Sequence, residues 1–378
     1  MPKHIIVLGG GAGGTIAANL LARRLKPHEA DVTVIDKLGV HLYQPAYLYL
    51  SFGWYRREKA MRSERGLLQR RVRLVVDEAT HIDPDGRRVT TAKNGDLAYD
   101  YLVIATGARL NPGEVPGLAE GAHHFYSEEG ALALREALKD FRGGKVVIGI
   151  GGVPYKCPPA PLEFAFLLDW WLKRKGLRDT TEIFFTSPLP RVFPIESVAA
   201  MAAPLLEKRG VRIHTFFNLE TVDPKTRTAT SLEGETLPYD LLVMIPPHRG
   251  AAVVTASGLG DGGGWVPTDR YTLKAEGRDG VYVVGDATNL PISKSGAAAH
   301  FEASPLVDNL LAEMRGTRTE HRYNGKVMCF LETGFDKATL LSFDYDHPPT
   351  PPRPSAMYHW LKLMFNKSYW QTVVKGRV

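Results

Sequence analysis

Short apolar runs, each cut off by glycine, recur along this chain. His4-Ile5-Ile6-Val7-Leu8 is continuously apolar after its first residue and does not alternate, which predicts a strand buried on both faces. Gly9-Gly10-Gly11-Ala12-Gly13-Gly14 follows at once, and Thr15 to Ala22, rich in small and apolar helix formers, predicts a helix. Asp31-Val32-Thr33-Val34-Ile35-Asp36 predicts the next strand. The unit reads strand, glycine turn, helix, strand, acid. It restarts in mid-chain. Lys145 to Ile150 is a strand running into Gly151-Gly152, Leu162 to Leu172 reads as a helix, and Glu182 to Thr186 reads as a strand. Two such units predict an α/β fold with two related nucleotide-binding-type domains.

Further strands are expected at Tyr101 to Ile104 and from Gly280 to Val284. Five prolines between Pro348 and Pro354 predict an extended linker. Beyond it, Met357, Tyr358, Trp360, Leu361, Met364 and Phe365 recur at helical spacing, with Trp370 and Val373 further on. No short-period repeat is evident.

Composition refines this picture. At 378 residues, 44% hydrophobic and 23% charged, the chain has room for two domains and a large core. The net charge is +6, and the stretch from His347 to the end, without a single acid, carries Arg353, Lys362, Lys367, Lys375 and Arg377. A basic patch spread over the body is lacking, so no nucleic-acid partner is expected. No run approaches the roughly 18 apolar residues of a spanning helix. The opening MPKHIIVLGG leaves no room for a signal peptide, so a cytoplasmic location, or one on the cytoplasmic face of the cell membrane, is expected. Two cysteines, Cys157 and Cys329, make no disulfide framework, and no metal site is expected.

Gly9, Gly11 and Gly14 form G-x-G-x-x-G: the first permits the turn, the second lets backbone approach a pyrophosphate, the third lets helix pack on strand. Asp36 stands where a carboxylate accepts ribose hydroxyls. The choice of cofactor rests on two later segments, Ala105-Thr106-Gly107 and Gly285-Asp286. Together with the first motif they resemble the flavoproteins with two Rossmann-like dinucleotide-binding domains. That resemblance, from His4 to about Met314, implies FAD, with Asp286 on the ribityl chain; a turn or cap residue is the alternative for Asp286. Lys294 resembles a lysine beside the flavin's pyrimidine side, with a surface lysine as the alternative. The segment after Asp36 contains no cysteine, so the FAD is expected to be non-covalent. The implied organisation is an FAD domain split in sequence (1–112 and 266–318), a second domain (113–265) carrying Cys157, and a C-terminal region (319–378) with Cys329.

The second glycine motif is broken. Gly149-Ile150-Gly151 begins it, but Gly152-Val153-Pro154-Tyr155-Lys156-Cys157-Pro158-Pro159 follows, and proline supplies no N–H to a phosphate. The strand ending at Thr186 also lacks the ribose-binding acid. NADH is disfavoured there. Tyr155-Lys156-Cys157-Pro158-Pro159-Ala160-Pro161-Leu162-Glu163 closely resembles the cysteine loop of sulfide:quinone oxidoreductases, and Val327-Met328-Cys329-Phe330-Leu331-Glu332 their second cysteine segment. The resemblance implies that hydrosulfide attacks a disulfide or sulfur-bridged cysteine pair, one cysteine leaves as a thiolate and adds to the flavin ring, and sulfane sulfur stays on the other. Cys329 would lie nearer the flavin. Buried structural thiols are the alternative. Glu163 would move protons, or be a solvated helix-face carboxylate. Members with a third cysteine carry it upstream of the second domain, where this chain has His123-His124-Phe125-Tyr126-Ser127. His359-Trp360-Leu361-Lys362 resembles the family's membrane-docking tail, so residues 355–378 are expected on the membrane surface, within reach of quinone; packing on the chain's own body is the alternative. Phe330, Phe335, Phe343 and Tyr345 are candidates for the quinone wall. Rival activities are a type II NADH:quinone dehydrogenase, a sulfide:cytochrome c reductase subunit, and a flavin-bound scaffold without turnover. A homo-oligomer is compatible with the sequence.

Overall fold

The computed structural model describes residues 2–377. Apolar runs form the expected parallel strands because nothing in them alternates. A five-stranded sheet runs in the order Val281–Val283, Tyr101–Ile104, Lys3–Leu8, Ala30–Asp36, Val72–Val76, every pairing parallel. It thus joins strands from opposite ends of the chain. A four-stranded parallel sheet runs Val211–Thr215, Thr181–Ser187, Gly144–Ile150, Leu241–Ile245. The helices Ala12–Arg24 and Pro159–Lys175 occupy corresponding places after the first strand of each unit. Prolines 159 and 161 sit in the opening turn of the second helix, where a missing N–H leaves no helical bond unmade.

Each unit also carries a three-stranded antiparallel meander, Ala79–Asp83 with Arg88–Thr91 and Gly95–Ala98, and Leu219–Asp223 with Thr228–Ser231 and Thr236–Pro238. The pair is legible in hindsight as Ile82-Asp83-Pro84…Tyr99-Asp100 against Val222-Asp223-Pro224…Tyr239-Asp240. The two closing aspartates do the same work: Asp100 accepts the His4 N–H at 2.8 Å and Asp240 the Lys145 N–H at 2.7 Å, each pinning the first strand of its unit.

The C-terminal region corrects two expectations. The proline segment lies on the body, where Pro349 and Pro352 carbonyls accept hydrogen bonds from Ser197 and Thr339. Residues after the tail helix Ala356–Ser368 are core. Tyr369, Trp370, Val373 and Val374 are buried in the cluster that packs the first helix, Asn19 donates to the Val374 carbonyl at 2.9 Å, and Arg62 covers the Trp370 ring. These residues cannot also lie on a membrane.

Replacing Trp370 by Ala should therefore cost about 3–5 kcal/mol and lower the urea midpoint sharply, whereas Lys367→Ala, at an exposed position, should change it by less than about 0.5 kcal/mol. Equal midpoints for the two variants would contradict this assignment of core.

Candidate active site

The glycine turn is built to let something close. A side chain on Gly9 (φ +111°) would meet the Ala105 carbonyl at 2.4 Å, and one on Gly14 the Gly9 carbonyl at 1.9 Å. At Gly11 a side chain would meet nothing within 4 Å. So Gly9 and Gly14 are needed for packing, and Gly11 faces open space at the start of the helix, as a phosphate cradle requires. Asp36 stands beside the turn and accepts the Gly10 N–H at 2.9 Å, and those of Leu38 and Gly39. Gly107 (φ +66°) and Gly285 (φ +74°) both turn through left-handed backbone.

Two buried polar atoms here lack a partner among the described residues: Thr106 Oγ1 and Asp286 Oδ1. An unpaired buried oxygen costs about 1–3 kcal/mol, so such atoms mark where a ligand completes the bonding. Burial raises the Asp286 pKa, with Lys156 and Lys294 acting the other way. Lys294 is not a surface lysine. It is 8% exposed, donates to the carbonyls of Asp286 and Thr288, and lies 3.9 Å from the Trp265 ring centroid. Lys156, not singled out from the sequence, is as deeply buried and donates to Gln44 Oε1 at 3.0 Å. Its backbone bridges that of Lys294, and Cys157 N donates to the Lys294 carbonyl at 2.7 Å. The cysteine loop is thereby stitched to the Asp286 segment. Glu302 accepts the Gly285 N–H, and burial pushes its carboxyl up to about 7.

Both cysteines are free thiols packed against one apolar cluster. Cys157 holds a left-handed backbone (φ +48°), a conformation that costs a non-glycine residue energy and concentrates at functional positions. Burial, then Glu163 and Cys329, raises the Cys157 thiol well above its ordinary range; burial and Glu163 push Cys329 up to about 12, against Lys362 and a Ser295 hydrogen bond.

Glu163 is 4% exposed, which excludes the solvated alternative. It accepts the Glu332 N–H at 2.8 Å and pairs with Lys362. Glu332, fully buried, accepts Tyr49 OH at 2.9 Å and meets His359 Nδ1 at 3.1 Å. Burial works against charge on Lys362, but Glu163, Tyr49 and Glu332 outweigh it and raise its pKa well above the usual lysine value. Burial also raises Glu332, with Lys362 opposing. The sequence reading put His359 and Lys362 on a membrane-docking tail and gave Tyr49 and Glu332 no role of their own, because the partners of all four are distant in the chain. Of the aromatic candidates, Phe335 packs on Trp54, Trp170 and His359, but Tyr345 belongs to a separate group with Tyr271, Tyr323 and Arg270.

A glycine-cradled dinucleotide site, with two half-buried thiols packed on one apolar cluster and the Cys157 loop stitched to the Asp286 segment, defines a flavin-dependent disulfide-type oxidoreductase. The pyridine nucleotide-disulphide oxidoreductase family model matches residues 3–303. The mitochondrial sulfide:quinone oxidoreductase of Dictyostelium discoideum is 30% identical, covering 99% of this chain and 86% of that protein. The crystal structure of the Aquifex aeolicus sulfide:quinone oxidoreductase superposes with a TM-score of 0.89 at 25% identity, over 99% of this chain and 92% of that one. A type II NADH:quinone oxidoreductase of Staphylococcus aureus is 23% identical over 84% of each. The chain belongs to the pyridine nucleotide-disulphide oxidoreductase family and, within it, to the sulfide:quinone oxidoreductases. Its cofactor is FAD, which the open Gly11 turn and the unpaired Thr106 and Asp286 oxygens fit.

The raised thiols predict slow alkylation. In the reduced protein, iodoacetamide should modify either cysteine at least about a hundredfold more slowly than free cysteine at pH 8, and the rate should still be climbing at pH 10. A plateau below pH 9 would contradict the burial argument.

Proposed function

We propose that this protein oxidises sulfide at Cys157 and Cys329 and delivers the electrons to quinone. The observation that carries the reading is the exchange at the second glycine turn. Where an NADH phosphate would sit, the chain places Cys157 in left-handed backbone, then starts a helix with proline. The same exchange speaks against the NADH dehydrogenase alternative. Residues 1–112 with 266–318 serve as the cofactor unit, and 113–265 supply the Cys157 loop.

Neither thiol ionises readily in its surroundings, so the reduced cysteine pair is a poor attacking group. Hydrosulfide is the nucleophile. It attacks one sulfur of the oxidised pair, the bridging S–S bond breaks, sulfane sulfur stays on the attacked cysteine, and the other leaves as a thiolate. Closing a bond between that thiolate and the outer persulfide sulfur would release a proton and two electrons, the pair that FAD, held by the Gly11 turn, Thr106 and Asp286, would take up and hand to quinone. Glu163, held by Lys362 and the Glu332 N–H beside both sulfurs, exchanges the protons released. Lys294 and Lys156 supply the donors beside Asp286 that favour a reduced, anionic cofactor.

The route to quinone is the tail helix. Its burial is inverted: His359 and Lys362 point into the protein, while Met357, Trp360 and Met364 stand 59%, 64% and 64% exposed, with Leu361 and Phe365 beside them. An outward apolar stripe rich in Trp, Met and Phe is suited to the membrane interface. We therefore place Ala356–Ser368 in the bilayer surface, as a peripheral contact; among the described residues no helix is long and apolar enough to cross a membrane.

Anaerobic sulfide should bleach the flavin absorbance of the FAD-loaded enzyme within seconds, and a soluble quinone analogue should restore it. Cys157→Ser and Cys329→Ser should each slow bleaching by sulfide at least about a hundredfold while dithionite still reduces the flavin. Bleaching by NADH and not by sulfide would overturn the proposal.

A further inference from the structure

Adjacent parallel strands of the second sheet end side by side. Ile150 pairs with Ile245, and Gly151 N donates to the Ile245 carbonyl at 2.8 Å. The Cys157 loop leaves the first of these strands. The second leads through Pro246 and Pro247 to His248. Ligands of open α/β sheets bind in the crevice outside such strand ends.

His248 is fully buried, and its bonding fixes its tautomer. Nδ1 lies 2.8 Å from the Pro246 carbonyl, which only accepts, so Nδ1 carries the hydrogen. Nε2 has no partner among the described residues. Burial first, then Lys156, His124 and Lys294, push the imidazole pKa down to about 3 against the Pro246 bond, so at neutral pH Nε2 is a bare acceptor. Tyr126 connects this ring to the cysteine: its ring meets His248 edge-on at 5.4 Å and its hydroxyl donates to the Cys157 carbonyl at 3.3 Å. Lys156, the neighbour of Cys157, spends one of its hydrogens on Gln44. A cavity of about 270 Å³ is lined by His123, His124, Glu129, Met244 and Pro246, the residue whose carbonyl holds His248. It occupies the stretch where a third cysteine is absent.

We propose that His248 and Lys156 form a receiving station for hydrosulfide beside Cys157. Lys156 Nζ donates to the sulfur and His248 Nε2 accepts the S–H hydrogen. A hydrosulfide has one acceptor sulfur and one hydrogen, which matches this donor and acceptor; the arrangement leaves a sulfur lone pair free for the cysteine. His248 is on this account a substrate-positioning residue, and the inference rests on sulfide being the reductant.

The test is anaerobic stopped-flow reduction of the FAD-loaded enzyme over a range of sulfide concentrations. His248→Phe should need about five- to tenfold more sulfide for half-maximal rate, with the limiting rate within about threefold of the parent. His248→Gln, whose amide oxygen still accepts, should recover most of the loss. The oxidised flavin spectrum and FAD content should be those of the parent. An unchanged sulfide dependence in His248→Phe would overturn the proposal. So would a shifted flavin spectrum or weakened FAD retention, which would assign Nε2 to the cofactor. Failure of sulfide to reduce the parent enzyme would refute the sulfide reading itself, a separate result. If His248→Phe does not fold, His248→Leu takes its place, with the same rise expected and an unchanged dependence again decisive.

Discussion

The buried pairing of Lys362 with Glu163 decides how the tail helix lies. An ammonium out of water is tolerable only where carboxylates meet it, and removing one partner of such a pair typically costs about 3–5 kcal/mol. Glu163 sits in the helix that follows Cys157, and Glu332 ends the strand that carries Cys329. Lys362 reaches both, and His359 reaches Glu332. One polar cluster therefore fixes the tail helix against the elements bearing the two cysteines. It also forces the helix to turn its polar side inward, which leaves the apolar side uncovered. The outward stripe proposed to meet the bilayer and the carboxylate proposed to serve the sulfurs are two consequences of a single constraint.

The same logic of unmet bonding runs through the site. Thr106 Oγ1, Asp286 Oδ1 and His248 Nε2 are buried atoms that the described residues leave unpaired. The first two line the flavin side and the third stands at the strand ends from which the Cys157 loop departs. Two buried lysines, Lys156 and Lys294, lie between them, tied backbone to backbone. Sulfide chemistry needs donors for an anionic nucleophile on one side and for a reduced cofactor on the other, and one bridge between two segments provides both.

Much of the architecture is legible in the sequence because parallel strands buried on both faces are bare apolar runs. The first glycine turn and Asp36 follow from local spacing, whereas the Asp286 segment and both cysteines stand out through their resemblance to flavoprotein and sulfide:quinone oxidoreductase motifs. The paired meanders are legible too, but only to a comparison of Ile82-Asp83-Pro84 with Val222-Asp223-Pro224, where the likeness is in turn residues and not in apolar pattern. The tail shows where local reasoning stops. Its period says which residues share a face; it does not say which face is covered. Lys362 reads as a membrane-facing cation until Glu163, 199 positions away, is placed beside it. Trp370 and Val373 extend the amphipathic pattern yet belong to the core around the first helix.

The most direct test joins the two ends of the account. FAD-loaded enzyme and a Trp360→Glu/Met364→Glu variant would be mixed anaerobically with sulfide, then with vesicles carrying quinone in the bilayer. Sulfide should bleach the flavin equally in both, because the cysteine site is untouched. Vesicle quinone should reoxidise the parent at least about tenfold faster than the variant, while a water-soluble quinone analogue reoxidises both alike. Equal reoxidation of the two by vesicle quinone would contradict the claim that the inverted helix carries this oxidoreductase to its acceptor.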